Sequence, residues 1–105
     1  MRDKDGYEDV AGAHEIPEGA VRFFELDRGE IMLCRIGGTL KALSGRCTHA
    51  FASLQDGEIA GGKITCAVHG AQFALPSGKN VSGNCADLPS YPIRMDGNRI
   101  MVKFG

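Results

Sequence analysis

The sequence predicts an all-β fold. Fifteen glycines and four prolines interrupt the 105 residues too often for long helices. No stretch shows the 3.6-residue periodicity of an amphipathic helix, whereas several short apolar runs are bounded by glycine turns. Apolar residues make up 43% of the chain, which suits one globular domain over residues 1–105 with a core of its own.

Seven short runs are predicted as strands: residues 20–26, 31–36, 39–43, 58–60, 63–66, 91–95 and 99–104. Three turns that contain glycine join consecutive runs, and they are Gly37-Gly38, Gly61-Gly62 and Asp96-Gly97-Asn98. Run 31–36 is apolar at nearly every position, as is typical of a strand buried on both faces. In the last run Ile100, Val102 and Phe104 alternate with the other residues, which predicts that one face is buried.

Charge and hydropathy exclude several functions. Twelve basic residues against thirteen acidic ones argue against a dedicated nucleic-acid-binding protein. No apolar stretch approaches 18 residues, so no membrane span is expected. The first nine residues lack the apolar run of a secretory signal, so a cytoplasmic location without disulfides is expected. The first 30 residues hold nine acidic and four basic residues, which we interpret as a solvated acidic surface.

Two loops rich in glycine, serine and alanine carry the chemistry. Cys47 and His49 lie in the first loop, and Cys66 and His69 lie in the second. Sixteen residues separate His49 from Cys66. Each loop therefore offers one thiolate and one imidazole. Two such loops facing each other would provide two sulfur and two nitrogen ligands for a metal site.

Three interpretations of these residues compete. In the first, they are ordinary buried cysteines and hydrogen-bonded histidines, but the repeated Cys–His pair in glycine-flanked loops disfavours this. In the second, they bind a tetrahedral zinc ion. Zinc motifs usually pair like ligands and place the second pair on a helix, and neither feature is present here. In the third, two cysteines and two histidines hold a [2Fe–2S] cluster.

The spacing of these four residues, together with Gly70 after the second histidine, resembles the signature of Rieske iron–sulfur proteins. The resemblance extends over about residues 7–104. It implies a Rieske fold, an antiparallel β sandwich or barrel with an inserted cluster-binding subdomain of two loops at about residues 44–84. It also implies that a third loop, residues 81–89, covers the cluster.

The same resemblance implies the ligands. One [2Fe–2S] cluster per chain would be held by Cys47 and Cys66 on one iron and by His49 and His69 on the other. Two neutral imidazoles in place of two thiolates make such a cluster less negative and easier to reduce. The histidine-bound iron is then expected to accept the electron, and the imidazole edges to be the electron exit.

Four positions distinguish this chain from Rieske proteins of respiratory chains. Ala52 and Val68 stand where those proteins carry a pair of cysteines that form a disulfide bracing the cluster. Ala71 and Phe73 stand where the high-potential proteins carry serine and tyrosine hydroxyls that donate to cluster sulfurs. Since such donors raise the potential, we expect a potential toward the low end of the Rieske range, about −150 mV.

Two further cysteines are not expected to be ligands. Cys34 lies within an apolar strand, where a buried thiol behaves as a small hydrophobic residue. Cys85 lies in the covering loop and is predicted to be a free thiol. The exposed tip of the cluster site is predicted to combine apolar and charged residues: His49, Ala50, Phe51, His69, Gly70, Leu88 and Pro89, with Arg46, Asp56 and Asp87 at its rim.

The chain therefore looks like the Rieske ferredoxin of an aromatic-ring-hydroxylating dioxygenase system, as in biphenyl, naphthalene or carbazole degradation. We expect a soluble, monomeric one-electron carrier rather than an enzyme. It would pass electrons from an NAD(P)H-dependent flavin reductase to a terminal oxygenase. The sequence shows no mononuclear-iron motif and no Rossmann glycine motif. The alternative is a small Rieske subunit bound permanently in a larger reductase, such as nitrite reductase.

Overall fold

The computed structural model describes residues 5–26, 29–48, 52–68, 70–83 and 85–103. These residues form short strands and two 3₁₀ turns: β1 Tyr7–Gly12, the turn Ala13–Glu15, β2 Val21–Leu26, β3 Gly29–Ile36, β4 Thr39–Ser44, the turn Leu54–Asp56, β5 Glu58–Ala60, β6 Lys63–Thr65, β7 Gln72–Ala74, β8 Ser90–Tyr91, β9 Ile93–Asp96 and β10 Arg99–Lys103. Among the described residues there is no helix with the length and hydrophobicity needed to traverse a membrane.

All the strand pairs are antiparallel, and they form three sheets with the orders β1-β10-β9, β2-β3-β4-β8 and β5-β6-β7. The all-β prediction is thus confirmed. The turn at Gly37-Gly38 is also confirmed, because both glycines have positive φ angles, 60° and 79°, between the paired residues Ile36 and Thr39. Positive φ at both central residues is the conformation that a two-residue hairpin requires and that glycine adopts at little cost.

Strand β3 is buried on both faces, as its apolar sequence predicts. Ile31 and Leu33 pack with residues of β1, β4 and β10 in one group of buried side chains. Met32 and Cys34 pack in a second group, which contains residues of β6 and β7. The four-stranded sheet therefore lies between the other two sheets, and alternate residues of β3 serve two different cores.

Two strands were not predicted. Strand β1 has a polar sequence, and the residue pairing with β10 shifts between Asp9 and Ala11. This bulge at Val10 breaks the two-residue alternation by which a strand is recognised. Strand β7 lies inside the region predicted as the second loop, and its three residues are too few to give a periodic signal.

The predicted strand 91–95 is wrong in one respect, because Pro92 divides it. Tyr91 ends β8, which pairs with β4, and Ile93 begins β9, which pairs with β10 in a different sheet. Proline has no N–H to donate, so a continuous ladder is interrupted there, but the Pro92 carbonyl accepts from the Lys103 N–H at 3.0 Å.

The predicted alternation in the last strand is only partly correct. Ile100 and Val102 are fully buried, as expected, but Met101 between them is also buried. Met101 lies opposite Asp9 on one side and Arg94 on the other, in the middle strand of its sheet. Phe104 lies outside the described residues.

Candidate metal site

Two loops of equal length carry the cysteines of the predicted site. Loop A is residues 46–53 and loop B is residues 65–72, and in each the first and last residues are paired as antiparallel neighbours. Cys47 and Cys66 are the first residues inside their loops. Their positions relative to the closing pair are therefore equivalent.

The backbone of the two loops repeats the same hydrogen bond. The Cys47 N–H donates to the Ala52 carbonyl at 2.8 Å, and the Cys66 N–H donates to the Ala71 carbonyl at 2.8 Å. In loop B the Gly70 N–H also donates to the Cys66 carbonyl at 3.1 Å. The closure of each loop thus holds the backbone of its cysteine in place.

Both cysteines are withdrawn from water. Cys47 and Cys66 are 0% and 1% exposed, and neither is in a disulfide. They belong to one contiguous group of buried side chains that also contains Phe73. Cysteine thiolates bind iron in iron–sulfur clusters, and an apolar surrounding shields a cluster from solvent, so this pair fits such a cofactor.

The two predicted histidine ligands, His49 and His69, lie outside the described residues, as do Ala50 and Phe51. Their neighbours in the chain are described. Thr48, which precedes His49, is half-buried, and Gly70 has a φ angle of +72°, a value that favours glycine. Within the described ranges no three histidine, cysteine or acidic residues are grouped for metal binding, since only two of the four predicted ligands fall there.

A third segment, residues 81–89, follows β7, and its described residues, 81–83 and 85–89, form no strand. The Thr48 hydroxyl donates to the carbonyl of Ala86 at 2.7 Å, so this covering segment is joined directly to loop A beside Cys47. The Val81 N–H donates to the Gln72 carbonyl at 2.9 Å, which joins it to loop B as well. The segment therefore bridges the two loops.

Asn80 organises the start of this segment. Its Nδ2 lies 3.2 Å from the Gln72 carbonyl, 3.0 Å from the Ser82 Oγ and 3.2 Å from the Cys85 Sγ. Its Oδ1 accepts from the Gly83 N–H at 2.7 Å. Sequence reasoning missed this residue because a single asparagine after a glycine-lysine pair is typical of any turn.

The remaining cysteines behave differently from the loop pair. Cys34 is fully buried in β3, as predicted, and burial raises the pKa of its thiol to about 11, against an opposing contribution from Lys41. Such a thiol stays protonated and is unreactive. Cys85 is half-buried, free of any disulfide, and packs against the group that contains Cys47 and Cys66.

The positions predicted to control the potential are completely enclosed. Ala71 and Phe73 are both 0% exposed and lie in the same buried group as the two loop cysteines. Neither side chain can donate a hydrogen bond. The structure thus places two apolar side chains in the wall around the cysteines, where a hydroxyl would be shielded from water.

One predicted feature of the exposed tip is wrong. Leu88 is only 4% exposed and packs in the buried group rather than on the surface. The Leu88 N–H donates to the Gly78 carbonyl at 2.8 Å, and a Cβ at Gly78 would lie 3.2 Å from the Leu88 Cβ, so the two residues are closely packed. Pro89 and Gly70 are exposed, as expected.

The sequence matches a family model described as the Rieske [2Fe-2S] domain over residues 7–92. It is also similar to the ferredoxin component of the naphthalene 1,2-dioxygenase/salicylate 5-hydroxylase systems of a Ralstonia species. The two are 32% identical over 96 residues, which cover 90% of this chain and 92% of the relative.

Two solved structures share the fold. The ferredoxin of carbazole 1,9a-dioxygenase from Nocardioides aromaticivorans IC177 aligns with a TM-score of 0.74 and 28% identity, covering 91% of this chain and 95% of that one. A chain in the complex of reduced oxygenase and oxidized ferredoxin in carbazole 1,9a-dioxygenase aligns with a TM-score of 0.77 and 25% identity. It covers 93% of each chain.

Proposed function

The chain belongs to the Rieske [2Fe-2S] domain family, and from that premise we propose that it is the one-electron carrier of a ring-hydroxylating oxygenase system. Its cofactor is a Rieske-type [2Fe–2S] cluster, which supplies one-electron redox chemistry when bound. The chain acts as an electron-transfer component rather than as an enzyme. Relatives that are named ferredoxin components of dioxygenase systems support this function.

The ligand set of the proposal is Cys47 and Cys66 on one iron, with His49 and His69 on the other. The observation that carries it is the equivalence of loops A and B. In each loop one buried cysteine directly follows the first residue of the closing pair. Two equivalent thiols from two loops are what one iron of this cluster type needs. The cluster-binding subdomain, residues 44–84, is supported by the sheet β5-β6-β7, which lies inside it.

The exposed apolar surface favours a carrier over a permanently bound subunit. Among the described residues four large apolar side chains are exposed: Ile59, Val68, Val81 and Met95. Ile59 is on β5 and Met95 is on β9, in different sheets. A permanent interface needs a large continuous apolar patch, whereas a redox encounter needs only a small surface that separates quickly.

The proposed partners are a flavin-dependent ferredoxin reductase, which delivers the electron, and a terminal oxygenase, which receives it. The structural relative in a complex of oxygenase and ferredoxin supports the second partner. The carrier is proposed to act as a monomer in the cytoplasm.

The cofactor is tested on protein purified without oxygen. We expect two irons and two acid-labile sulfides per chain, a red-brown colour, and an EPR signal that appears only on reduction. His49→Ala and His69→Ala should each lose or destabilise the cluster, because each removes one ligand of the histidine-bound iron. A colourless protein with one zinc and no sulfide would refute the cluster assignment.

The carrier function is tested by reconstitution. Added to an NADH-dependent flavin reductase and a ring-hydroxylating oxygenase, the protein should restore product formation, while the cluster-free Cys66→Ala variant should not. The interaction should weaken as salt is added, since redox encounters have small, partly electrostatic interfaces. Purification as a stoichiometric, salt-resistant complex with a reductase would instead support the permanent-subunit alternative.

A further inference from the structure

We propose that Glu30 is a positioning residue for loop A and that its negative charge lowers the potential of the cluster. Glu30 lies near the start of β3, outside the sequence motif and outside both loops. The inference rests on the proposed function, because it takes Cys47 of loop A as a cluster ligand. Its evidence is the set of contacts that Glu30 makes with the base of that loop.

The Glu30 carboxylate contacts both ends of loop A. The Ser53 hydroxyl donates to Glu30 Oε2 at 3.0 Å. The Arg46 Nε lies 4.0 Å from Glu30 Oε1. Arg46 and Ser53 are the two residues whose pairing closes the loop, so one carboxylate bridges its entrance and its exit.

The backbone of Glu30 is also hydrogen-bonded to Gly45, the residue that precedes loop A. The Gly45 N–H donates to the Glu30 carbonyl at 2.8 Å, and the Leu54 N–H donates to the Gly45 carbonyl at 2.8 Å. A Cβ on Gly45 would lie 2.7 Å from Glu30 Cγ and 3.1 Å from its carbonyl carbon. Glycine is therefore required for this close approach, and loop A is packed directly on Glu30.

Glu30 is an unfavourable residue for its place in the sheet. Its side chain is only 9% exposed, so its carboxylate has lost most of its water. Directly opposite it on β2 is Glu25, and like charges opposite each other destabilise a sheet. The contacts to Ser53 and Arg46 compensate for this cost. Because Glu30 destabilises the sheet but bonds to both ends of loop A, its role is to support loop A.

Among the described residues, the side-chain bond that closes loop B is neutral, and the acidic residue opposite Thr65, Glu58, is exposed to solvent. The closing residues of loop B, Thr65 and Gln72, are joined by a neutral bond in which the Gln72 Nε2 donates to Thr65 Oγ1 at 3.2 Å. The electrostatic effect on the cluster therefore differs between the two loops, because the carboxylate of Glu30 lies at the base of loop A and the bond at the base of loop B is neutral. A negative charge beneath loop A opposes the addition of an electron to the site above it. The half-exposed Arg46 offsets only part of this charge, because solvent screens it.

The charge is tested with Glu30→Gln, which keeps an acceptor for Ser53. The matched control is Glu25→Gln, which removes the same charge from the exposed residue directly opposite. By voltammetry, Glu30→Gln should favour the reduced state about threefold to tenfold, a rise of about 30–60 mV at 59 mV per tenfold. Glu25→Gln should change the equilibrium less than about twofold. Equal shifts in the two variants would overturn the electrostatic role.

The positioning role is tested with Glu30→Ala and Ser53→Ala, which break the bridge from either side. Both should release the cluster to a chelator several-fold faster than the parent, while Glu30→Gln should stay within about twofold of it. Unchanged release in Ser53→Ala would overturn the bridge even if Glu30→Ala failed to fold. A parent without a cluster would refute the proposed function, and the bridge would then be decided by hydrogen exchange. Faster exchange of the loop A amides in Ser53→Ala would support it, and unchanged exchange would overturn it.

Discussion

Loops A and B have the same length and the same cysteine position, but they stand on different supports. The closing pair of loop A, Arg46 and Ser53, is an isolated pair outside any strand. The closing pair of loop B ends a ladder in which residues 63–65 of β6 pair with residues 72–74 of β7. Loop B is thus held by its own sheet, whereas the two residues that close loop A also contact a side chain of β3, that of Glu30.

This difference shows that equivalent geometry does not need equivalent support. A sheet ladder fixes its loop through repeated backbone hydrogen bonds, which almost any sequence can make. A loop without a ladder needs particular side chains at particular places. We therefore expect the stability of loop A to depend on single residues and that of loop B to depend on sheet packing.

The largest expected effect is the loss of the cluster from Cys47→Ala and from Cys66→Ala. Each variant removes one of the two thiolates proposed to bind the same iron, so both should abolish the visible absorbance and the EPR signal of the reduced protein. Cys34→Ala is the control, because Cys34 is buried with a raised pKa and is not a proposed ligand. Full cluster content in either loop variant would show that the loops are not equivalent.

The next effect is expected at Gly57, where the exit of loop A meets the entrance of loop B. A Cβ at Gly57 would overlap the Thr65 carbonyl oxygen and lie 3.2 Å from the Leu54 carbonyl oxygen. Gly57→Ala should lower the free energy of unfolding by about 1–3 kcal/mol and loosen both loops together. Its exposed neighbour provides the control Glu58→Ala, which should change that free energy by less than about 0.5 kcal/mol in denaturant titrations.

Hydroxyl groups introduced beside the two loop cysteines should raise the reduction potential of the cluster. Ala71→Ser and Phe73→Tyr each place a donor at a fully buried position beside the cysteines. If about 1–2 kcal/mol of the added bond strengthens on reduction, each variant should gain about 40–80 mV, at 59 mV per 1.4 kcal/mol.

The control for this pair of variants lies in loop A. Ala52 occupies the position equivalent to Ala71, as the carbonyl that accepts from its own cysteine N–H, but it is only partly buried. Solvent competes for a hydroxyl there, so Ala52→Ser should have a smaller effect. Potentials of Ala71→Ser, Phe73→Tyr and the double variant within about 10 mV of the parent would show that the hydroxyl argument is wrong.

The smallest effect is expected at the bond between loop A and the covering segment. Thr48→Val removes the hydroxyl that donates to the Ala86 carbonyl at 2.7 Å and keeps the shape of the side chain. The cost should be about 0.5–1.5 kcal/mol, seen as faster hydrogen exchange in residues 85–88. Thr39→Val, at an exposed hairpin position, should leave that exchange unchanged.

Local patterns were sufficient for part of this molecule. Paired glycines predicted the hairpins at Gly37-Gly38 and Gly61-Gly62, because positive φ at both turn residues selects glycine wherever the turn lies. The apolar run of β3 predicted burial on both faces, because only a central strand can bury every side chain. The spacing of two Cys–His pairs predicted the family, because ligand order in a loop depends on neighbouring residues.

Tertiary structure alone decided what depends on residues far apart in the chain. Pro92 divides one apolar run between two sheets, and the bulge in β1 follows from its pairing with β10. The bridge from Glu30 to Ser53 spans 23 residues, and the bond from Thr48 to Ala86 spans 38. No local pattern encodes such contacts, since a carboxylate in a strand or a threonine in a loop is ordinary until the fold brings its partner within hydrogen-bonding distance.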